Sequence, residues 1–155
     1  MRLGGHRKLA IPPGFEADHF KRGEGRSLFI YKGLQIATLI CYDAEFPETA
    51  RHVASMGAEL ILVPTALGAQ WDWVSKTMVP TRAYENGVFL AYANSAGTEN
   101  GMGFLGQSFI AAPNGKELAR AGASPELIYA ELKREQVTKA QSRLPYLNDL
   151  KMPKT

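Results

Sequence analysis

Cysteine is almost absent from this chain: Cys41 is the single one in 155 residues. An internal disulfide is therefore excluded, and with it a small scaffold held by bridges; a reducing, cytoplasmic setting is the simpler expectation. Histidine is scarce too. His6, His19 and His52 fall in no metal-ligand spacing, so no metal site and no cofactor are implied. Charge of one sign is not in excess: 18 basic and 15 acidic residues leave +3, with no long run of either. That balance gives little support to nucleic acid or a membrane surface as a partner. No apolar stretch reaches the length of a membrane-spanning helix, and the opening MRLGGHRK lacks the apolar core of a signal peptide. Internal repeats, low-complexity tracts and interdomain linkers are missing as well. A hydrophobic content of 45% and a charged content of 21% fit one domain over 1–155 with a real core.

What is present centres on residues 34–48, LQIATLICYDAEFPE. Leu34, Ile36, Ala37, Leu39 and Ile40 form the near-continuous apolar run of a strand covered on both faces. Pro47 suits the first turn of a helix, where its missing N–H costs nothing. Ala50, Val53, Ala54 and Gly57 then recur at three- and four-residue steps. Cys41 thus stands at a strand's carboxyl end and before a helix N-terminus, a place that favours thiolate. Taken alone, a cysteine there also reads as a small buried hydrophobe.

The rest of the chain supplies the frame. Residues 1–25 are punctuated as loop by Pro12, Pro13, Gly14, Gly23 and Gly25. A structureless opening of that length implies that something normally precedes it. Residues 27–31 read as a strand, turned by Lys32-Gly33 into the Cys41 strand. Further buried strands are expected at 59–63 and 88–93. Strands joined by single helices should be parallel, so their carboxyl ends lie at one edge, where ligands bind. Pro64, Thr65 and Ala66 then become pocket backbone. Residues 68–87 begin as loop and become a helix that Pro80 should kink or divide. Trp71 and Trp73 read either as core or interface packing or as an aromatic wall of the pocket. Asn94 either faces the site or closes a turn. Residues 95–103 read as a surface loop, 104–112 as a strand, 113–116 as an Asn-Gly hairpin turn. A last strand is expected at 127–132, a polar helix at 133–143, and an extended tail at 144–155.

Ile40-Cys41-Tyr42-Asp43 followed by Glu45-Phe46-Pro47-Glu48 resembles the nucleophile motif of the nitrilase-type carbon–nitrogen hydrolases, on the amidase-like side of that superfamily. His6-Arg7-Lys8 with Pro13-Gly14-Phe15-Glu16 resembles the loop that carries the family's catalytic lysine and supporting glutamate. Glu16 follows Lys8 by eight residues, and Cys41 follows Lys8 by thirty-three. Without the family, Lys8 and Glu16 read as solvated loop charges. One departure is Leu9-Ala10-Ile11, where many members have Thr-His-Leu. Arg82-Ala83-Tyr84-Glu85-Asn86 resembles a helix end of the family, and Arg82 and Glu85 can pair across one face.

The resemblance implies an α/β fold: part of an α-β-β-α sandwich, a mixed sheet with helices packed on it, its N-terminal strands missing. It implies a small amide or carbamoyl substrate, a homo-oligomer, and catalysis by Cys41, Lys8 and Glu16. Tyr42, through its N–H, would hold the oxyanion, and Glu45, Pro64, Thr65, Trp71 and Asn94 would contact the substrate. The resemblance covers only the C-terminal portion of such a domain. The family's general-base glutamate lies upstream, and no acidic residue precedes Lys8. Two other classes stay open: an inactive remnant serving as a binding or scaffold module, and a redox protein, which lacks a second cysteine to resolve Cys41.

Overall fold

The computed structural model describes residues 4–25 and 28–149. Its frame is a six-stranded mixed sheet in the order β1-β2-β3-β4-β7-β8. Strands β1 (Leu28–Tyr31) and β2 (Leu34–Thr38) form the expected hairpin, turned by Lys32 and Gly33, both at positive φ. Ser27 lies outside the described residues. Strands β2, β3 (Leu60–Thr65) and β4 (Phe89–Asn94) are mutually parallel, as expected of strands joined by helical crossovers. Helix α2 (Pro47–Ser55) joins β2 to β3, and α3 (Val79–Asn86) leads into β4. A five-residue helix, α1 (Phe15–His19), precedes them all.

One face of the sheet is sealed. Ala50, Val53 and Ala54 of α2 and Val79 and Ala83 of α3 pack on Ala37, Ile61, Val63, Leu90, Tyr92 and Phe109. The other face carries Ile36, Leu60, Phe89 and Ala112 under Val137 of α4 (Arg134–Arg143), while Phe29, Leu34, Leu62 and Leu118 stay half-buried.

Several expectations need correcting. Residues 127–132 form no strand. Their alternation is real, but they pair with no strand among the described residues, and Leu127 and Tyr129 are each 80% exposed. The expected strand at 104–112 is broken in two, β6 (Met102–Leu105) and β7 (Phe109–Ala111). Gly106 and Gln107 stand between them at φ 66° and 53°, a conformation no strand contains. The loop at 95–103 holds β5 (Ala96–Glu99), paired with β6 through Asn100-Gly101, a second Asn-Gly turn. The turn at 113–116 does lead back, into β8 (Glu117–Arg120). The opening segment contains α1. The tail expected to be extended begins with a helical turn, α5 (Tyr146–Asp149), and 150–155 lie outside the described residues. The helix expected after residue 68 begins at Asp72 and is not divided; it runs on through a change of winding just before Pro80. A π-helical turn, Val74–Met78, leads straight into α3, and Pro80, which cannot donate a helix hydrogen bond, follows that turn. No helix among the described residues is long and apolar enough to cross a membrane.

Candidate active site

The parallel strands bring β2, β3 and the residues after them to one edge. There Cys41 opens a 3-10 turn, Cys41–Glu45, rather than α2 itself, which starts at Pro47. Cys41 has φ 49°. A left-handed cysteine costs about 1–2 kcal/mol, and the strain makes a sharp bend that lifts the side chain off the strand. Below it, the turn is held rigidly. Arg82, nearly buried, donates from Nε to the Ala44 carbonyl at 3.2 Å and from Nη2 to the Glu45 carbonyl at 2.7 Å. Its Nη1 meets Glu85 Oε1 at 3.1 Å, the expected pair.

A cavity of about 530 Å³ opens over the turn, lined by Lys8, Glu16, Phe20, Cys41, Pro64 and Thr65 among others. A volume in that range suits a small-molecule site. Lys8 Nζ and Glu16 Oε2 form a tight ion pair, with Lys8 the better buried of the two. Burial pushes the Cys41 thiol up. Hydrogen bonds from the backbone at Ala66 and Tyr42 and the Lys8 ammonium oppose that, Glu16 adds to it, and the balance stays above the ordinary thiol value. The helix end expected to favour thiolate lies too far on, at Pro47, and the desolvation of the thiol outweighs the groups that favour its charged form.

Glu45 is half-buried beside the same charges. Burial raises its carboxyl, and Lys8 and Arg82 only partly offset this. Burial also raises the Tyr92 phenol, which hydrogen-bonds Thr65 and feels both Cys41 and Glu45. The structure thus gathers Cys41, Lys8, Glu16, Pro64 and Thr65 around one cavity, with Tyr42 and Ala66 backbone on the sulfur and Glu45 within electrostatic reach.

Two expected residues stand apart. Trp71 is 57% exposed and lines no part of this cavity, nor does Trp73, 66% exposed. Asn94 spends its amide on loops: Oδ1 accepts from Leu67 N–H at 2.8 Å, and Nδ2 donates to the Gly106 carbonyl at 2.8 Å. It lines a different depression, with Gly106 to Ser108. What sequence reasoning missed is Asp43, quoted there as part of a motif alone. Its carboxylate is fully buried, a signal that a run of polar letters does not carry.

At the site, a thiol on a positive-φ turn at a strand end shares one cavity of an α/β fold with a lysine–glutamate pair. The model of the family described as carbon-nitrogen hydrolase matches residues 1–142, and the chain belongs to that family. It is 41% identical over 150 residues to the "Hydrolase in pqqF 5'region" of Pseudomonas protegens, across 96% of this chain and 53% of that one. An (R)-stereoselective amidase of a Pseudomonas species is 32% identical over 148 residues, covering 95% of this chain and 54% of its own. Among solved structures, an amidase of a Nesterenkonia species superposes with a TM-score of 0.83 at 37% identity, over 94% of this chain and 54% of that chain. A mutant of the same amidase carries the acetamide moiety of fluoroacetamide on its active-site cysteine. It matches with a TM-score of 0.81 at 38% identity, over 92% of this chain and 51% of that one. The chain spans about half the length of the relatives it matches.

Proposed function

We propose that this chain carries the nucleophile side of an enzyme that hydrolyses a non-peptide carbon–nitrogen bond in a small carboxamide or carbamoyl compound. The observation behind this is one cavity that holds Cys41 Sγ, two backbone groups bonded to it, and the Lys8–Glu16 pair. The Cys41 thiol gives its proton to a carboxylate, and sulfur attacks the carbonyl carbon. Negative charge on the carbonyl oxygen is met by the Lys8 ammonium and the Tyr42 N–H, fixed donors worth about 3–4 kcal/mol each in such sites. The C–N bond breaks as nitrogen takes the proton, and ammonia or an amine departs. Water then cleaves the thioester, releasing the acid and restoring the thiol. Glu16 orients Lys8. Pro64 and Thr65 shape the acyl side, and Glu45 adds a second carboxyl near the reacting atoms.

No acidic residue precedes Lys8, so the general-base role has no upstream candidate here, and turnover by the chain alone is expected to be low. Cytoplasmic location and homo-oligomer formation belong to the same proposal. The half-buried apolar residues on the open sheet face and exposed Leu127 and Tyr129 support association between copies. That open face also favours the second reading, a binding module without turnover.

The test is incubation with short aliphatic amides and N-carbamoyl amino acids, followed by ammonia assay and intact-mass measurement. An acyl mass on Cys41, absent from Cys41→Ala, is the expected result. Ligand binding that Cys41→Ala leaves unchanged, with no adduct on any substrate, would move the assignment to the binding module.

A further inference from the structure

Asp43 lies two residues beyond the nucleophile, and its buried carboxylate reaches both the nucleophile's turn and the lysine loop. Oδ2 accepts from the Ile40 N–H at 3.0 Å and from His6 Nε2 at 3.0 Å. Oδ1 accepts from the Leu9 N–H at 2.9 Å and the Ala10 N–H at 2.8 Å. Those bonds hold the Asp43 carboxyl below its usual range despite the burial that would raise it. His6 and Leu9 stand on either side of Lys8, so the loop is gripped before and after the lysine. The Lys8 carbonyl is held too, by the Gly23 N–H at 2.7 Å. Gly23 has no room for a side chain, because a Cβ there would come within 2.5 Å of the Arg7 carbonyl oxygen. On its other side, the Asp43 carbonyl accepts from Thr49 Oγ1 of α2 at 2.5 Å. The lysine loop has little core of its own, since α1 buries no residue. A buried anion ties it to the protein interior.

We propose that Asp43, with His6 as its partner, is a positioning residue that holds the lysine loop so that Lys8 stands against Cys41. It acts through Lys8 and touches no substrate. The inference deepens the proposed function by taking the Lys8–Cys41 pairing from it, but it does not need amide turnover.

The experiment is the pH profile of Cys41 alkylation by iodoacetamide on the full chain, arranged as a double-mutant cycle. In the wild-type background Lys8→Gln should move the midpoint up by about one pH unit, since a cation beside the thiol favours thiolate. That is roughly a tenfold slower alkylation at pH 7.5. In the Asp43→Asn background the same Lys8→Gln change should move it little, because the lysine is no longer held in place. His6→Leu should behave like Asp43→Asn, and His6→Gln, which keeps a donor, should restore the Lys8 effect. Circular dichroism selects the variants that fold, and His6→Leu carries the test if Asp43→Asn does not. An undiminished Lys8 effect in folded Asp43→Asn or His6→Leu overturns the proposal. A Lys8 effect that vanishes as expected, in a chain whose Cys41 takes up no acyl mass from any amide, leaves it standing and removes the hydrolase reading instead.

Discussion

The two walls of the Cys41 cavity are built in opposite ways. One is the sheet edge, Ile40, Cys41, Pro64, Thr65 and Ala66, backed by a sealed core and by Arg82 beneath the turn. The other is the loop bearing Lys8, Glu16 and Phe20, with Phe15 70% and Phe20 58% exposed. The sheet-edge wall draws its rigidity from apolar burial. The loop wall relies on a few polar bonds to one carboxylate and on the Lys8–Glu16 pair. Substitutions should therefore divide: those in the first wall act on stability or abolish chemistry outright, and those in the second act on reactivity in a protein that still folds.

Cys41→Ala should have the largest effect, removing every adduct by intact mass while the far-ultraviolet spectrum stays that of the wild type. Arg82→Ala comes next. It strips the Ala44 and Glu45 carbonyls and Glu85 of their partner at a nearly buried site, a change expected to cost about 3 kcal/mol in urea unfolding. An effect below about 1 kcal/mol would show that the turn does not depend on its buried guanidinium.

Acid should weaken the tie between the walls. The folded-state pKa of Asp43 is depressed below its ordinary 3.8. Its contribution is thus complete above that value and lost as pH falls through the folded pKa. Unfolding midpoints between pH 5 and pH 2 should fall more steeply for the wild type than for Asp43→Asn; parallel curves would contradict this. The smallest expected effect on stability is that of Phe20→Ala, within about 0.5 kcal/mol because the side chain is exposed. Its signature should be faster alkylation by a bulky maleimide through a wider cavity mouth. A large loss of stability would mean the loop wall has a core after all.

The same contrast explains what the sequence disclosed. The sheet-edge wall was legible because buried parallel strands write themselves as apolar runs: 34–40, 59–63 and 88–93 all proved to be adjacent parallel strands. The Arg82–Glu85 pair was legible from its helical spacing. The loop wall was not legible from periodicity, having none. Lys8 and Glu16 could be singled out through family resemblance alone; in space they pair with each other. Asp43 escaped because three of its four partners are backbone N–H groups, which no side-chain pattern encodes. Trp71 misled because a large aromatic suggests burial, whereas here it sits exposed. The strand expected at 127–132 failed for want of a neighbour, since alternation specifies a face but not a partner.

The raised thiol has a consequence for the protein's lifetime. Peroxide attacks thiolate far more readily than thiol, and oxidation beyond the sulfenic stage is generally irreversible. Burial pushes the Cys41 thiol up, the direction that slows such damage. The same burial that raises the thiol thus also shields it from oxidation, in a chain with no second cysteine to form a disulfide with it.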